Sequence, residues 1–395
     1  MTSKQHWLKN QIIKGLLYED KSISDLCSYL GISAPTCSLL VNKMINEGLI
    51  AKKGSGQSIG GRKPDLYTST PGNFFVLGIE MDRYQTKMAI LDNTFNYAVP
   101  TKTLSLDIEK EARPIELLHS LATELIENSK IDKNKLIGIG VSMPGLVDAK
   151  QGHNHTFIVA TEQLKTLKEE LENTFNRPVY IQNDVKCLTS AEKHFGLAKD
   201  KNDALLLFLD WGIGLGIIMD GEIRGGRLGF SGEIGHMPFK DEGILCYCGK
   251  RGCLETVASG MALAKIVKEG IQSGQHSLLN NLPDSEIDKI EPQVIINAAK
   301  RGDQYAIKIL GDIGYNVGRA VASTIQLFNP ELIILAGRIA QAQEYITIPM
   351  QQAINTYCMA QIREDVVIKV SELTNNPILL GLTSNVLNQH LETTN

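Results

Sequence analysis

The apolar residues between positions 22 and 50 recur with the period of a helix, which predicts two short helices joined by a tight turn. Ser24 is predicted to cap the first helix, which ends at Gly31. Ser33 is predicted to cap the second helix, with Pro35 in its first turn. In this second helix the apolar residues at i, i+3, i+4 and i+7 form one buried stripe of Cys37, Leu40, Val41 and Met44.

The opposite face of the second predicted helix carries short polar groups and one exposed leucine. Hydroxyls and amides of this size can contact base edges in a DNA major groove, and an apolar side chain can touch a thymine methyl. We therefore expect this face to bind DNA through Pro35, Thr36, Ser38, Leu39, Asn42 and Lys43.

A glycine- and serine-rich stretch between two β-like segments follows Gly48 and resembles the wing of a winged helix. Basic side chains on such a wing contact phosphate or enter the minor groove. The wing is predicted to carry Lys52, Lys53, Arg62 and Lys63. The alternative is a small helical domain that binds another protein instead of DNA.

From Phe75 onward the pattern changes to strands. Residues 74–92 and 204–223 share one plan, in which an apolar strand, a turn and a second strand follow one another, the later copy with a hairpin at Asp220 and Gly221. Helical patterns follow each copy, around residues 114–129 and 258–272, and the predicted later elements are helices at 292–310 and 312–328, the strand "LIILAG" and a helix near the C-terminus. This repetition predicts an α/β protein with two similar lobes and a cleft between them.

Composition places this pattern in a soluble globular protein. The chain has 395 residues, of which 43% are hydrophobic and 21% charged, and its length predicts two or three domains. The first residues lack the apolar run of a signal peptide, and no stretch is long and apolar enough to cross a membrane. We therefore expect a cytoplasmic protein with reduced cysteines.

Charge is distributed unevenly along the chain. Residues 1–75 contain nine Lys and Arg against five Asp and Glu, whereas the remaining residues contain 31 basic and 39 acidic side chains. A basic head on an acidic body favours a head that binds a polyanion.

Three cysteines lie within eight positions in "LCYCGKRGCLE", residues 245–255. Gly249 and Gly252 permit turns that direct three sulfurs toward one point, and His236 lies ten residues before the first of them. Three cysteines and one histidine are a common ligand set for structural zinc, so the predicted ligands are His236, Cys246, Cys248 and Cys253. The alternative is a group of buried thiols without a metal.

Several short motifs occur in a fixed order: "GGRKP", "GIGVSMPGLVD", "VYIQNDVKC", "GEIGHM" and "CYCGKRGCLE". This order resembles the ROK family (repressor, open reading frame, kinase), and in particular its branch of repressors that respond to N-acetylglucosamine, xylose or glucose. The resemblance extends from about residue 20 to the end of the chain. It implies an N-terminal winged helix-turn-helix followed by a two-lobed actin/hexokinase-like (ribonuclease H-like) α/β domain, with residues 1–72 and 73–395 as the two domains and the zinc loop at 236–253.

The resemblance also implies a set of sugar contacts, because carboxylates and amides suit adjacent sugar hydroxyls. By motif match these are Asn183, Asp184, Glu233, His236 and Glu255, with Asn154 as a looser match. The alternative is that these polar groups cap helices and turns. His236 can face both zinc and sugar only through different ring nitrogens.

In kinases of this family the aspartate matching Asp184 is the base that deprotonates the attacking sugar hydroxyl, and the nucleotide lies on glycine-rich loops. Here those loops depart from the family pattern at three places. Glu80 and Asp82 replace an aspartate and a glycine, Asp210 and Trp211 replace a glycine and a threonine, and Arg338 interrupts paired glycines. These changes predict that ATP is no longer bound, because added carboxylates repel phosphate and added side chains block its approach.

The sequence therefore predicts a DNA-binding transcriptional regulator, a repressor released from a double-stranded DNA operator by a sugar or sugar-phosphate effector. The resemblance implies structural Zn²⁺ and a homodimer or dimer of dimers. Sugar binding between the lobes is expected to reorient the two heads of a dimer on the operator. The alternative is a sugar kinase with an appended DNA-binding head, in which Asp184 acts as the catalytic base.

Overall fold

A computed structural model of the chain describes residues 3–56, 63–106, 111, 113–157 and 166–393. The chain divides into two compact units. The first unit contains Met1–Phe195 together with Thr374–Asn395, and the second contains Gly196–Leu373. The first unit is therefore discontinuous in sequence, because the C-terminal segment returns to it.

The N-terminal head, residues 3–56 and 63–72, contains three helices and a three-stranded antiparallel sheet in the order β1-β3-β2. Its elements are α1 (Ser3–Gly15), β1 (Lys21–Ser22), α2 (Ile23–Leu30), α3 (Ala34–Asn46), β2 (Ile50–Ser55) and β3 (Asp65–Ser69). Helices α2 and α3 and strands β2 and β3 lie where the sequence predicts them. Helix α1 is not predicted, because charged residues interrupt its apolar positions.

The first capping prediction is wrong, because Ser22 and not Ser24 caps α2. The hydroxyl of Ser22 accepts a hydrogen bond from the backbone N–H of Asp25 at 3.2 Å, and the Asp25 carboxylate accepts one from the backbone N–H of Ser22 at 2.9 Å. This reciprocal pair is a capping box, and it begins the helix before Ser24. Gly31 ends the helix with a φ of 63°. Ser33 stands at the predicted N-cap position of α3, but its hydroxyl lies 2.9 Å from the Thr36 hydroxyl and makes no capping hydrogen bond to the backbone.

The remainder of the first unit contains a five-stranded mixed sheet in the order β10-β7-β4-β5-β6. Its elements are β4 (Phe75–Met81), β5 (Gln85–Asp92), β6 (Lys102–Ser105), α4 (Pro114–Ser129), β7 (Leu136–Met143), β8 (Val147–Asp148), β9 (His153–Asn154), α5 (Leu167–Phe175), β10 (Val179–Asn183) and α6 (Asp184–Phe195). Strands β4, β7 and β10 are parallel, so their carboxyl ends lie at one edge of the sheet. Ligands of α/β proteins bind at this type of edge.

The second unit contains a five-stranded sheet in the order β13-β12-β11-β14-β15. The elements from residue 204 onward are β11 (Ala204–Leu209), β12 (Ile213–Met219), β13 (Glu222–Ile223), α7 (Glu255–Ala258), α8 (Gly260–Gln272), α9 (Asp284–Ile287), α10 (Pro292–Lys300), α11 (Gln304–Phe328), β14 (Leu332–Ala336), α12 (Glu344–Tyr357), α13 (Ala360–Arg363), β15 (Val367–Val370) and α14 (Pro377–Thr393), of which α14 belongs to the first unit. An antiparallel hairpin followed by two parallel strands occurs in both sheets, as the repeated sequence pattern predicts.

The sequence pattern predicts a break between the two later helices at Gly311, and this position is wrong. In the structure the break falls at residues 301–303, and Gly311 lies inside α11. Gly302 has a φ of 88°, a conformation that favours glycine and ends α10. Asp303 then caps α11 by accepting a hydrogen bond from the backbone N–H of Ala306 at 2.9 Å. None of the helices in the described ranges combines the length and apolar character that crossing a bilayer requires.

Helix α14 packs closely against α6 and also supports the head. A Cβ atom added to Gly381 would lie 1.8 Å from the carbonyl oxygen of Cys187 in α6, so only glycine permits this approach. Further along α14, apolar side chains complete the core of the head, where Leu387 and Leu391 lie in one cluster with Ile12 and Leu16. One helix therefore joins the head to the sheet of the first unit.

Replacing Gly381 with alanine is expected to lower the free energy of unfolding by about 3 kcal/mol, because α6 and α14 must separate to admit the methyl group. Urea denaturation of wild type and variant measures this change. Gly311→Ala is the matched control, since the nearest atom to its added Cβ lies 3.8 Å away and alanine favours helix. Equal effects of the two substitutions would contradict this packing argument.

Candidate functional site

The three cysteines of the zinc loop converge with His236, as the sequence predicts. The potential ligand atoms of His236, Cys246, Cys248 and Cys253 all lie within 4.8 Å of one another. The Cys246 sulfur lies 3.6 Å from Nδ1 of His236, and the sulfurs of Cys248 and Cys253 are 3.6 Å apart. This cluster could hold a metal ion.

Backbone geometry explains how a short loop brings these groups together. Gly249 and Gly252 have φ values of 86° and 72°, which favour glycine. An added Cβ at Gly252 would lie 1.8 Å from the carbonyl oxygen of Lys240. The Nζ of Lys250 donates a hydrogen bond to the carbonyl oxygen of His236 at 2.8 Å, which ties the loop to the histidine.

Burial and crowding shift the pKa values of the four side chains in this cluster. Burial, followed by the neighbouring thiols, raises the pKa of Cys253 to about 12, and burial also raises the pKa of Cys246. Burial opposes ionisation of Cys248 as well, but hydrogen bonds from the Lys250 backbone and the adjacent thiols outweigh it and lower its pKa. Burial and then Lys250 lower the pKa of His236, which favours the neutral imidazole that binds metals.

Tyr247 is a further member of this site that the sequence analysis does not identify. Its hydroxyl lies 3.0 Å from Nε2 of His236, the ring nitrogen that does not face the Cys246 sulfur. Burial and then the carboxylate of Glu255 raise the pKa of Tyr247, so its hydroxyl stays protonated. In the sequence, only its position between two cysteines of the motif links Tyr247 to the cluster. No periodic pattern indicates that it contacts His236.

Asn183 and Asp184 lie at the carboxyl end of β10, beside the end of β7. The Asn183 amide donates a hydrogen bond to the carbonyl oxygen of Gly145 at 3.0 Å, and its oxygen accepts one from the backbone N–H of Lys186 at 3.2 Å. The Asp184 carboxylate accepts a hydrogen bond from the backbone N–H of Val185 at 2.8 Å. Asn183 therefore orders the first turn of α6, and Asp184 begins this helix.

Asn154, the looser match for a sugar contact, is buried and holds a loop together. Its amide donates to the carbonyl oxygen of Pro144 at 2.9 Å, and its oxygen accepts hydrogen bonds from the backbone N–H groups of Thr156 and Phe157, both at 3.0 Å. These contacts match the alternative structural role that the sequence analysis allows for such residues.

In the second unit, Glu255 lies against two glycines whose lack of a side chain leaves room for its carboxylate. One oxygen of its buried carboxylate accepts a hydrogen bond from the backbone N–H of Ile213 at 3.0 Å. Cβ atoms added to Gly212 and Gly235 would lie 2.8 Å and 3.2 Å from that oxygen. Glu233 immediately precedes the short 3₁₀ turn Ile234–His236 and is half-buried. The "GEIGH" and cysteine motifs are therefore adjacent in the second unit.

Two of the departures from the kinase pattern bind each other directly. The Asp210 carboxylate accepts hydrogen bonds from Nη1 of Arg338 at 2.6 Å and from its backbone N–H at 3.0 Å. The Arg338 guanidinium carbon lies 5.6 Å from the centre of the Trp211 ring, within cation–π distance. In the first unit the Glu80 carboxylate lies 3.0 Å from Nζ of Lys87 on the adjacent strand, and Asp82 accepts a hydrogen bond from the backbone N–H of Arg83.

The two faces of α3 differ as the sequence predicts. The stripe of Cys37, Leu40, Val41 and Met44 is buried, whereas 70% of Leu39 is exposed. Ser38 is half-buried, and the other predicted DNA contacts on this helix are exposed: Pro35, Thr36, Asn42 and Lys43. An exposed leucine among polar groups is consistent with a surface that binds a partner.

The basic residues of β2 form ion pairs on the surface of the head. Lys52 pairs with Asp65 at 2.8 Å and Lys53 with Asp20 at 3.0 Å. Surface pairs of this kind are weak, so phosphate can compete for both lysines. Lys63 is exposed, and Arg62 lies outside the described residues.

Most of the chain is similar to known transcriptional regulators, in sequence and in structure. The chain is 29% identical to the DNA-binding transcriptional dual regulator NagC of Escherichia coli K12 over 365 residues, which cover 89% of this chain and 87% of NagC. It is 28% identical to the xylose repressor of Caldicellulosiruptor bescii, covering 98% of each protein. A solved ROK family transcriptional regulator, a homologue of the E. coli MLC protein, matches 97% of this chain and 98% of its own length with a TM-score of 0.79 and 25% identity.

The match to the family model is broad and includes the predicted sugar contacts and the zinc loop. Residues 76–388 match the model described as "ROK family". This range contains Asn183 and Asp184 of the first unit as well as the zinc loop and Glu255 of the second. The chain belongs to the ROK family.

Proposed function

We propose that the chain is a sugar-responsive DNA-binding transcriptional regulator, a repressor released from its operator by a sugar or sugar derivative. The observation that carries this proposal is the pair Asp210–Arg338, which occupies loops that hold nucleotide phosphate in kinases of the family, while polar groups of the sugar motifs remain. The similarity of the chain to a transcriptional regulator and a repressor over most of its length supports the same function.

The head supports DNA binding through the geometry of a winged helix. Helix α3 presents Leu39, Asn42 and Lys43 outward from a buried apolar stripe, so it can enter a major groove without disturbing the core. Strands β2 and β3 form the base of the wing, from which Lys63 can contact phosphate. A homodimer would place two such heads on half-sites about one helical turn apart.

Each unit, taken by itself, carries some of the proposed sugar contacts. Asn183 and Asp184 lie at the carboxyl edge of the sheet in the first unit, and Glu233, His236 and Glu255 lie around the zinc loop in the second. Asn154 stays the looser of the proposed contacts, and its side chain also makes three hydrogen bonds to the backbone of its own loop. In a protein without a phosphate donor, Asp184 holds a sugar hydroxyl and does not deprotonate it for transfer.

The metal that best fits the cluster is zinc, bound by Nδ1 of His236 and the sulfurs of Cys246, Cys248 and Cys253. Thiols this close resist ionisation together unless a cation neutralises them, and zinc accepts three sulfurs and one nitrogen. Four protein ligands leave no position for a reacting water, so the zinc would be structural. It would hold in place the loop that carries Glu233 and Glu255.

The central prediction is that the protein binds an operator duplex selected from a random library and that one sugar weakens this binding by about 5–150-fold. The panel contains xylose, glucose, N-acetylglucosamine and their phosphorylated forms, and fluorescence anisotropy measures the affinity. Lys43→Met should weaken binding and flatten its salt dependence, because one phosphate or base contact is lost. Lys300→Met, an exposed lysine in the second unit, is the control and should change neither.

The same panel of sugars tests whether the protein is a regulator or a sugar kinase. Incubation with ATP and magnesium should give no phosphorylated sugar above background. Turnover at ordinary enzyme rates would show that Asp184 is a catalytic base, and binding to DNA without any response to the panel would contradict the sensing role.

Replacing Arg338 with methionine is expected to lower the free energy of unfolding by about 2 kcal/mol, because the largely buried Asp210 carboxylate loses a charged partner. Arg224→Met is the control, since the ion pair of Arg224 with Asp220 is exposed and should contribute less than about 0.5 kcal/mol. Urea denaturation measures both changes. If the two substitutions had the same effect, Asp210 and Arg338 would not form the interaction described.

Replacing Cys248 with serine is expected to remove bound zinc and the response to sugar together, because the site loses one of four ligands. Metal content per chain is measured by inductively coupled plasma mass spectrometry. Cys358→Ser alters a buried cysteine outside the cluster and should retain both properties. Full zinc content in the Cys248→Ser protein would refute the ligand set.

A further inference from the structure

Helix α6 extends from a proposed sugar contact to the DNA-binding head. Asp184 is its first residue and Phe195 its last, a separation of about 16 Å at 1.5 Å per residue. The middle of the helix is buried from Val185 to Glu192, so neighbouring elements hold it along its length. A displacement at one end of such a helix is therefore passed to the other.

The last turn of α6 contacts Tyr18 of the head, in the segment that joins α1 to β1. The Tyr18 ring stacks on His194, with 3.8 Å between the ring centres and 5° between the planes. It also meets Phe195 edge to face at 5.6 Å and stacks on Phe95 at 5.7 Å. Burial lowers the pKa of His194 to about 4, so this imidazole is neutral at physiological pH and stacks as an uncharged ring.

The hydroxyl of Tyr18 connects the same point to α14. It lies 2.6 Å from the hydroxyl of Ser384 and accepts a hydrogen bond from the Asn388 amide at 2.5 Å. Ser384 in turn lies 3.3 Å from the hydroxyl of Ser190 in α6. Burial raises the pKa of Tyr18 to about 12, which keeps the hydroxyl protonated. Tyr18 therefore contacts both helices with different parts of one side chain.

Helices α6 and α14 are in close backbone contact. A Cβ atom added to Gly381 would lie 1.8 Å from the carbonyl oxygen of Cys187, so no side chain separates the two helices at this point. Because α14 also completes the core around Ile12 and Leu16, a change in α6 reaches the head both through Tyr18 and through α14.

We propose that Tyr18 and His194 are positioning residues that transmit sugar binding at Asp184 to the DNA-binding head through α6. The inference rests on the proposed function and adds a route for the response within the first unit. A sugar hydroxyl that bonds Asp184 shifts the first turn of α6, and the ring of His194 passes this shift to the stacked ring of Tyr18. The Tyr18 hydroxyl bonds α14 at the same point, so the segment between α1 and α2 follows α6 only while both contacts of Tyr18 are made. The sugar acts because it interacts differently with the two positions of α6.

Tyr18→Phe tests this route, because it removes the hydroxyl and keeps the stacked ring. Operator affinity is measured by anisotropy with and without the panel sugar that gives the largest thermal shift in wild type. Sugar affinity is measured by calorimetry without DNA. We expect sugar affinity and sugar-free operator affinity to remain near wild type, while the sugar-induced loss of operator affinity shrinks by about fivefold or more.

If Tyr18 had only a structural role, the measured affinities would change differently. A destabilised head would lose operator affinity equally with and without sugar. Ser384→Ala removes the partner of the hydroxyl from the α14 side and should reproduce the Tyr18→Phe result if that variant does not fold. Tyr305→Phe is the matched control, because it deletes a hydroxyl that donates to the Ile266 carbonyl within the second unit. It should leave the sugar response unchanged.

Two outcomes overturn the proposal and are distinguishable. If wild type responds to sugar and both Tyr18→Phe and Ser384→Ala respond equally, the route through Tyr18 is wrong while the regulatory function stands. If wild type itself shows no operator binding or no sugar response, the proposed function fails and the coupling fails with it.

Discussion

The close contact of α14 with α6 is the constraint on which the first unit depends. The carbonyl oxygen of Cys187 occupies the space that any side chain at Gly381 would need, so the two helix backbones meet directly. From this contact α14 reaches the sheet on one side and the core of the head on the other. The head therefore shares a core with the helix that packs on α6.

Local patterns in the sequence predict the parts of the structure that depend on neighbouring residues. The stripe of α3 and the cysteine cluster follow from spacing alone, and the paired strand plans follow from their apolar runs. The ends of helices depend on single hydrogen bonds, which is why the sequence pattern misplaces the cap of α2 at Ser24 and the helix break at Gly311. Contacts between distant segments leave no periodic signal, which is why Tyr247 beside His236 and Tyr18 beside His194 could be found only in the structure.

Asp210, Arg338 and Glu80 depart from the kinase pattern, and each of them has a partner of opposite charge in the structure. The sequence shows Asp210 and Arg338 as separate departures 128 positions apart, whereas the structure shows that each neutralises the other. Glu80 likewise lies beside Lys87 on the next strand. A lone buried carboxylate would be costly, so these replacements are stable as pairs. Bonds between side chains of this protein therefore hold these loops.

The discontinuity of the first unit has a consequence for biosynthesis. The ribosome makes α1, α2 and α3 first, but the α14 residues that cover Ile12 and Leu16 are made only after the whole second unit. Until then the nascent head exposes the apolar side chains that α14 covers in the complete chain, and exposed apolar surface favours aggregation. Completion of the head core therefore depends on synthesis of the second unit, although no residue of that unit belongs to this core.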